Sequence, residues 1–483
     1  MSVEQNKETV RRWFTEIVRG GVDRATFQKV ADQVFAPDFL DHDGPDPEHS
    51  KQALVRTVPA LLQALPDARF SVELLLGEGE YVAVRVHGEA THTGEAMGRT
   101  MPSRRSASGS QPPAERAMNA HRTGLGIVGA GVISAEYVRT LHSAADVQVR
   151  FLAARDPGRA RVRAEELGVP AAGTYAELLS DPSIEVVVNL TVPQAHAEVT
   201  EQALESGRHV YSEKPLALSR SDGRRLLDLA AERRLRLGCA PDTLLGAGMQ
   251  TALRLVRSGG VGSPRSGFAN FQYGGPNLWH PNPEFLFREG GGPLLDVGPY
   301  YLTALIQVFG PVARVSALAV QGASTRVIGR GPRAGESFPV DVPTHVMALY
   351  EFAEGGVADV VLSFDSPIRR IALEVNGSDG ALRLPDPNMF TGDSEVFGAD
   401  GTSRTVAAVG PGGPARGSGV VDLVRSLRGG VPERASGALA YHVLDVMVAT
   451  DEAGRTGQPV SVSGRVDRAP LLPAGWSLTS PAD

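Results

Sequence analysis

The sequence holds a single cysteine, Cys239, in 483 residues, so no internal disulfide can form. Nor does any Cys pair or His-Glu-x-x-His run offer a zinc site, and no metal is expected. No apolar stretch approaches the roughly 18 residues that a membrane span needs. Glu, Lys and Arg are scattered through the opening residues, which argues against a secretory signal. Dense Lys/Arg runs are missing, and the net charge of -7 argues against a chain that holds nucleic acid by neutralising phosphates. The expectation is a cytoplasmic protein without a nucleic-acid or membrane partner. What is there is ordinary for a globular chain: 42% hydrophobic and 21% charged residues, over a length that calls for two or three domains.

Residues 6–20 place Val10, Trp13, Phe14, Ile17 and Val18 on one helical face. A second helical stretch, 51–65, carries Leu54, Val55, Val58, Leu61, Leu62 and Leu65, with Pro59 predicting a kink. Two β-rich runs split at Gly77-Glu78-Gly79 predict a hairpin, and helices followed by strands indicate a small α+β domain. These first hundred residues resemble the SnoaL-like polyketide cyclase family at Trp13-Phe14, FAPDFLDHD (35–43), LPDARFSVE (65–73) and THTGEAMG (91–98). The resemblance implies a cone-like fold with a pocket that His42, Asp43 and His92 could line. In that family further strands follow, whereas RTMPSRRSASGSQPPAERAMNAHR here is rich in Ser, Pro and Arg and reads as linker. The expectation is a partial, non-catalytic domain over 1–100 and a linker over 101–121, with Met118 close to an ancestral start.

From Thr123 the pattern changes. Short apolar strands such as LGIVGAG, VQVRFLAARD, IEVVVNLTVP, HVYSEKP and LRLGCAP alternate with helical stretches, which predicts a doubly wound parallel sheet over 122–241. Runs as apolar as EVVVNLTV suit a sheet covered on both faces, and Cys239 reads as a buried strand residue. Beyond Pro241 longer β-rich runs take over, with helices at 244–259, 299–310, 418–430 and 437–454. Residues 242–483 are therefore expected to form an α+β domain on one broad, mostly antiparallel sheet, whose open face would make a homodimer or homotetramer. The Gly- and Pro-rich stretch 401–419 reads as a mobile loop.

Gly129-Ala130-Gly131-Val132-Ile133-Ser134 follows the first strand of that series. There a first glycine permits the tight turn, a second lets backbone approach a pyrophosphate, and a helix N-terminus adds partial positive charge. Ser134 stands where a third glycine would allow close packing. At the end of the second strand Ala154 replaces the acid that normally holds the ribose hydroxyls, and Arg155 follows. A small residue and a guanidinium favour NADP, while Asp156 keeps NAD open.

Residues 119 to about 475 resemble the Gfo/Idh/MocA family, through GIVGAGVIS, VPQAH (192–196), GRHVYSEKPLAL (207–218), GGGPLLDVGPYYLTAL (290–305) and GSDGALRLPDPNMF (377–390). The resemblance implies a Rossmann domain, a C-terminal sheet domain, a nicotinamide cofactor and a sugar or polyol substrate. Cofactor binding would fall to Gly129, Gly131, Val132, Ile133, Arg155, Asp156, Thr191, Pro193, His196, Glu213 and Lys214. Lys214 of Glu-Lys-Pro, Asp296 and Tyr300 would be catalytic, with tyrosine where many members carry histidine. A free phenol titrates near pH 10, roughly, and the Lys214 ammonium is expected to favour its ionised form. Trp279, His280 and His345 are candidates for substrate contact, while His442 reads as packed on a helix. The combination points to an NAD(P)-dependent dehydrogenase or reductase. Two alternatives stay open: a sensing protein that binds cofactor and sugar without turnover, and a fused cyclase and reductase of natural-product assembly.

Overall fold

The computed structural model describes residues 24–34, 55, 58, 69–78, 81–89, 122–410, 415–429, 431–473 and 475–480. The chain divides into two compact units, 1–111 and 112–483. In the first, helix α1 (Arg24–Val34) buries Phe27 and Ala31, four residues apart on one face. Strands β1 (Arg69–Glu78) and β2 (Tyr81–Glu89) pair antiparallel from Arg69↔Glu89 to Glu78↔Tyr81, which is the expected hairpin. Of the helical stretch 51–65, Val55 and Val58 are described and helical. The expected helix over 6–20, His42, Asp43, His92 and the linker 101–121 lie outside the described residues.

The second unit opens with a parallel sheet. Its elements in order are β3 (Thr123–Val128), α2 (Ile133–Ser143), β4 (Val147–Ala153), α3 (Pro157–Leu167), β5 (Ala171–Gly173), α4 (Tyr175–Ser180), β6 (Val186–Asn189), α5 (His196–Glu205), β7 (His209–Ser212), α6 (Arg220–Arg233) and β8 (Leu237–Cys239). The order β5-β4-β3-β6-β7-β8 reverses direction between β3 and β6, the switch point at which doubly wound sheets bind ligands. Every residue of β3 and β6 is buried, as expected for a sheet covered on both faces. Cys239 ends β8 and is buried.

The chain then forms α7 (Ala247–Arg257), β9 (Pro264–Gln272), α8 (Gly292–Asp296), α9 (Gly298–Phe309), β10 (Val312–Val320), β11 (Thr325–Val327), β12 (Ser337–Pro339), β13 (His345–Phe352), β14 (Val357–Ser363), β15 (Arg370–Gly377), β16 (Gly380–Arg383), β17 (Ser394–Gly398), β18 (Ser403–Val406), α10 (Ser418–Gly429), α11 (Gly437–Thr456) and β19 (Val460–Ser461). Nine strands make one sheet, β18-β17-β16-β15-β9-β14-β13-β10-β19, in which β9 and β14 are the parallel pair. Burial alternates along β13, so one face is covered, and α11 packs on β10 and α9 on β9 from that side. All of α9 is buried. The opposite face carries Leu318 (67% exposed), Leu349 (60%) and Met347 (49%). Beyond the expected elements lie β5 and the β11–β12 hairpin, each strand three residues long and too short for alternation to register.

Two findings differ from the sequence reading. The stretch 401–419, expected to be a mobile loop, contributes β18 to the sheet edge and a turn held by Asp242, which accepts the Gly417 amide at 2.7 Å and the Gly419 amide at 3.2 Å. And the late chain returns to the parallel sheet: Val420, Val421, Leu423 and Val424 of α10, with Leu472, Trp476 and Leu478, share a core with Leu125, Tyr137 and Leu152. No helix among the described residues is long and apolar enough to cross a membrane.

Candidate active site

Strand β3 ends in a turn that only glycine fits. Gly129 has φ +120°, and a Cβ there would lie 2.4 Å from the Leu190 carbonyl oxygen. At Gly131 a Cβ would meet nothing within 4 Å, so open space adjoins the backbone where a pyrophosphate would approach. The cap residue of α2, Val132, makes no side-chain cap bond; the Ser134 and Ala135 amides turn back to the Gly131 and Val132 carbonyls at 3.2 and 3.3 Å, and the positive end of the helix faces the open space. Ile133 is half-buried behind it. Ser134 takes the packing role: it is buried and donates from Oγ to the Gly131 carbonyl at 2.7 Å. Arg163 of α3, absent from every motif, donates to Ser134 Oγ at 3.2 Å and to the Gly131 and Val132 carbonyls at 3.4 Å. These residues fit a dinucleotide.

At the end of β4 Ala154 is half-buried and Arg155 exposed. Asp156 caps α3, its Oδ1 accepting the Gly158 amide at 2.9 Å and the Arg159 amide at 3.4 Å. Beyond β6, Asn189 Oδ1 accepts from Thr191 Oγ1 at 2.7 Å and from its amide at 3.2 Å, fixing the turn that leads to Pro193. His196 is buried, with Nδ1 2.7 Å from the Pro215 carbonyl and Nε2 3.0 Å from that of Thr191. Its ring therefore braces the turns after β6 and β7. Burial lowers its pKa against the pull of the two carbonyls. A cleft of about 610 Å³ lies between Val192 and Gln194 on one side and Asn282, Phe285 and Arg288 on the other.

After β7, Glu213 accepts the Tyr137 hydroxyl at 2.7 Å and the Lys214 amide at 3.0 Å. Lys214 then reaches into the other half, its Nζ donating to Asp296 Oδ1 at 2.8 Å and to the Asp296 carbonyl at 2.5 Å. Burial works against the ammonium, but Asp296, Tyr300 and Glu213 outweigh it and hold the pKa above the usual lysine value. The same Nζ lies 5.2 Å from the Tyr300 ring centroid. The structure thus brings Lys214, Asp296 and Tyr300 together. Tyr301, the next residue, packs in the core 6.1 Å from Phe271.

The expected electrostatics of the phenol need correction. Burial raises the Tyr300 pKa by more than Lys214 and Arg416 lower it, with Glu213 and Asp296 adding to the rise. Arg416, which no motif marks, places its guanidinium 5.6 Å from the Tyr300 ring centroid. Behind it Asp242 is buried, and burial lifts its carboxyl to about 6 against Arg416 and the two amides it accepts.

Trp279 and His280 stack edge-on at 5.5 Å, and His280 meets Phe285 at 5.4 Å. Burial lowers the His280 pKa against the Asn282 amide that its Nδ1 accepts and the Asp296 and Glu284 carboxylates. Tyr273 joins them, 5.3 Å from Phe271 and within the fields of Asp296 and Lys214; its place near the end of an apolar strand gave no signal. His345 is set apart: it opens β13 opposite Val320 and Ser363, and among the described residues no polar contact ties it to Lys214. His442 is packed on α11, accepting the Val312 amide at Nε2 at 3.0 Å.

Residues 123–240 match the Gfo/Idh/MocA oxidoreductase family, NAD-binding Rossmann fold, and 249–383 match the Gfo/Idh/MocA C-terminal domain. Residues 8–123 match the SnoaL-like polyketide cyclases, a match that runs through the stretch read as linker. The chain is 32% identical over 188 residues to trans-1,2-dihydrobenzene-1,2-diol dehydrogenase of Macaca fuscata fuscata, covering 38% of this chain and 55% of that one. It therefore spans little more than half the length of that relative. It is 30% identical to D-xylose 1-dehydrogenase (NADP(+)) 2 of Haloferax volcanii, covering 53% of this chain and 74% of that one. A levoglucosan dehydrogenase in complex with NADH and L-sorbose shares the fold, with TM-score 0.63 and 21% identity over 71% of this chain and 99% of that one.

Proposed function

We infer hydride transfer from one premise: the chain belongs to the Gfo/Idh/MocA family of oxidoreductases. The reading is an NAD(P)-dependent oxidoreductase that interconverts a CH–OH group of a sugar, polyol or related diol with the corresponding carbonyl. The observation that carries it is the meeting of Lys214 with Asp296 at 2.8 Å and with the Tyr300 ring at 5.2 Å, across the two halves of the unit. A bound nicotinamide would accept or supply the hydrogen with its electron pair; the chain's own residues hold the substrate and move a proton. In the oxidation direction the substrate hydroxyl gives its proton to the Tyr300 oxygen, and in reduction the phenol returns it. Lys214, kept charged by Asp296, polarises the substrate oxygen and restrains Tyr300. Asp296 fixes the lysine, and Trp279 and His280 border the substrate. Gly129, Gly131, Val132, Ile133, Thr191, Pro193 and Glu213 seat the cofactor, with His196 shaping the turns around it.

NADP is the proposed cofactor. Arg155 is exposed beside the small Ala154, and Asp156 Oδ1 is engaged as a helix cap, so a 2'-phosphate finds a cation where an acid holding the ribose hydroxyls would otherwise stand. The Haloferax relative's name carries NADP(+) as well. The exposed face bearing Leu318, Met347 and Leu349 supports a homo-oligomer, and the lone cysteine and acidic balance suit the cytoplasm.

Titration with NADP and NAD, followed by absorbance at saturating cofactor with D-xylose, levoglucosan, inositol and trans-dihydrodiols, tests this reading. Tighter NADP binding and turnover of at least one alcohol are expected. Cofactor binding without turnover of any of them would mark a sensor instead.

A further inference from the structure

The sign of the charge around the Tyr300 phenol depends on a residue outside every motif. Lys214 faces the ring with one positive charge, but Asp296 lies 2.8 Å from that ammonium, and Glu213 adds a second carboxylate. With Lys214 as the sole cation this set carries one more negative than positive formal charge, and both carboxylates oppose an anionic phenol. Arg416 brings the set to balance. Its guanidinium carbon lies 5.6 Å from the ring centroid, and one of its nitrogens donates to Asn388 Oδ1 at 2.8 Å.

The turn that presents Arg416 is built tightly. Gly417 adopts φ +105°, and its amide and that of Gly419 share Asp242 Oδ2 at 2.7 and 3.2 Å. Ser418 Oγ accepts the Ala415 amide at 2.8 Å and donates to the Ala415 carbonyl at 2.7 Å. Asp242, Glu213 and Tyr137 are the other groups in charge contact with Arg416. An arginine suits the position because its guanidinium stays charged and lies well against a ring.

We propose that Arg416 is a positioning residue for the proton-transferring phenol: it fixes the Tyr300 ring and supplies the second positive charge that brings the ionised phenol within reach. The proposal rests on the assignment of Tyr300 as acid/base. It gives the turn before α10, delivered from far along the chain, a share in the chemistry.

The test is an NMR titration of the full chain carrying isotope-labelled tyrosine, without cofactor, the Tyr300 signal being assigned by its loss in Tyr300→Phe. Arg416→Gln is expected to move the Tyr300 titration upward by about one pH unit, a tenfold loss of ionised phenol at a given pH, while Arg416→Lys moves it less. A Tyr300 titration in Arg416→Gln that coincides with the parent's overturns the proposal. If Arg416→Gln does not fold, Asn388→Ala, which keeps the guanidinium and removes its side-chain acceptor, is expected to give a smaller upward shift, and no shift overturns the proposal equally. The titration needs no substrate, so its outcome is separate from the hydride-transfer reading, which turnover of Lys214 and Tyr300 variants decides.

Discussion

The two sheets of the second unit work in different ways. The parallel sheet is buried through β3 and β6 and presents its candidate site residues where its strands stop: Gly129 after β3, Thr191 after β6, and Glu213 and Lys214 after β7. The nine-stranded sheet offers a face instead. One side is packed and the other exposes Leu318, Met347 and Leu349, while its share of the pocket arrives through α8, the start of α9 and the turn at Arg416. A sheet edge concentrates polar backbone and loop residues, so changes there should strike binding and turnover; changes on an open face should strike assembly.

The sharpest test of that contrast is at the strand ends. Lys214→Met and Tyr300→Phe should each lower turnover by roughly a hundred- to ten-thousand-fold with the fold kept, measured by steady-state kinetics on the first alcohol that turns over and by circular dichroism. A loss below about tenfold would break the comparison at its strongest point. Next, Gly131→Leu fills the open space beside the turn and should weaken cofactor binding by about a hundredfold or more, by fluorescence titration, while Tm holds. Gly129→Ala should instead destabilise the fold, by about 1–3 kcal/mol in denaturant unfolding, since the strained φ and the Leu190 carbonyl both oppose a side chain.

On the open face, Leu318→Lys combined with Leu349→Lys should weaken self-association by tenfold or more in sedimentation, with protomer stability moving by only about 0.5 kcal/mol. Full retention of assembly would move the interface elsewhere. The smallest effect is expected at His442, packed between α11 and the start of β10. Burial lowers its pKa to about 4, below the roughly 6.5 of an unfolded chain. Its contribution to stability is therefore complete above about pH 6.5 and is lost as pH falls through about 4. His442→Gln, whose amide oxygen can accept the Val312 amide, should flatten the fall of Tm across that window relative to the parent.

What could be read from the sequence follows the same contrast. Buried parallel strands are continuous apolar runs, and their ends carry short motifs, so Gly129, Gly131 and Lys214 stood out. The spacing Asp296-x-Gly298-x-Tyr300 separated Tyr300 from Tyr301, which the structure places beside Lys214 and against Phe271 respectively. The rest depends on long returns of the chain. Tyr137 meets Glu213 across 76 residues, and the turn bearing Arg416 is fastened to Asp242 across 175. A Gly- and Pro-rich composition gave no sign of either anchor. The sequence also named the cation beside Tyr300 but not the depth of burial, and burial decides the direction in which that phenol shifts. Asp156 and His196 carry a second role that the sequence did not announce: each binds backbone groups of nearby turns.

One detail of the packing bears on how the protein is made. The core around Leu125 and Tyr137 is finished by Leu472, Trp476 and Leu478, and the Leu478 carbonyl accepts the Ala145 amide at 3.1 Å. On a ribosome, then, the parallel-sheet layer stays bare along one side until residues 472–478 have been translated as well. Its folding waits on a pairing between residues 333 positions apart, Ala145 and Leu478, and until that pairing forms its apolar side is open to non-native contacts.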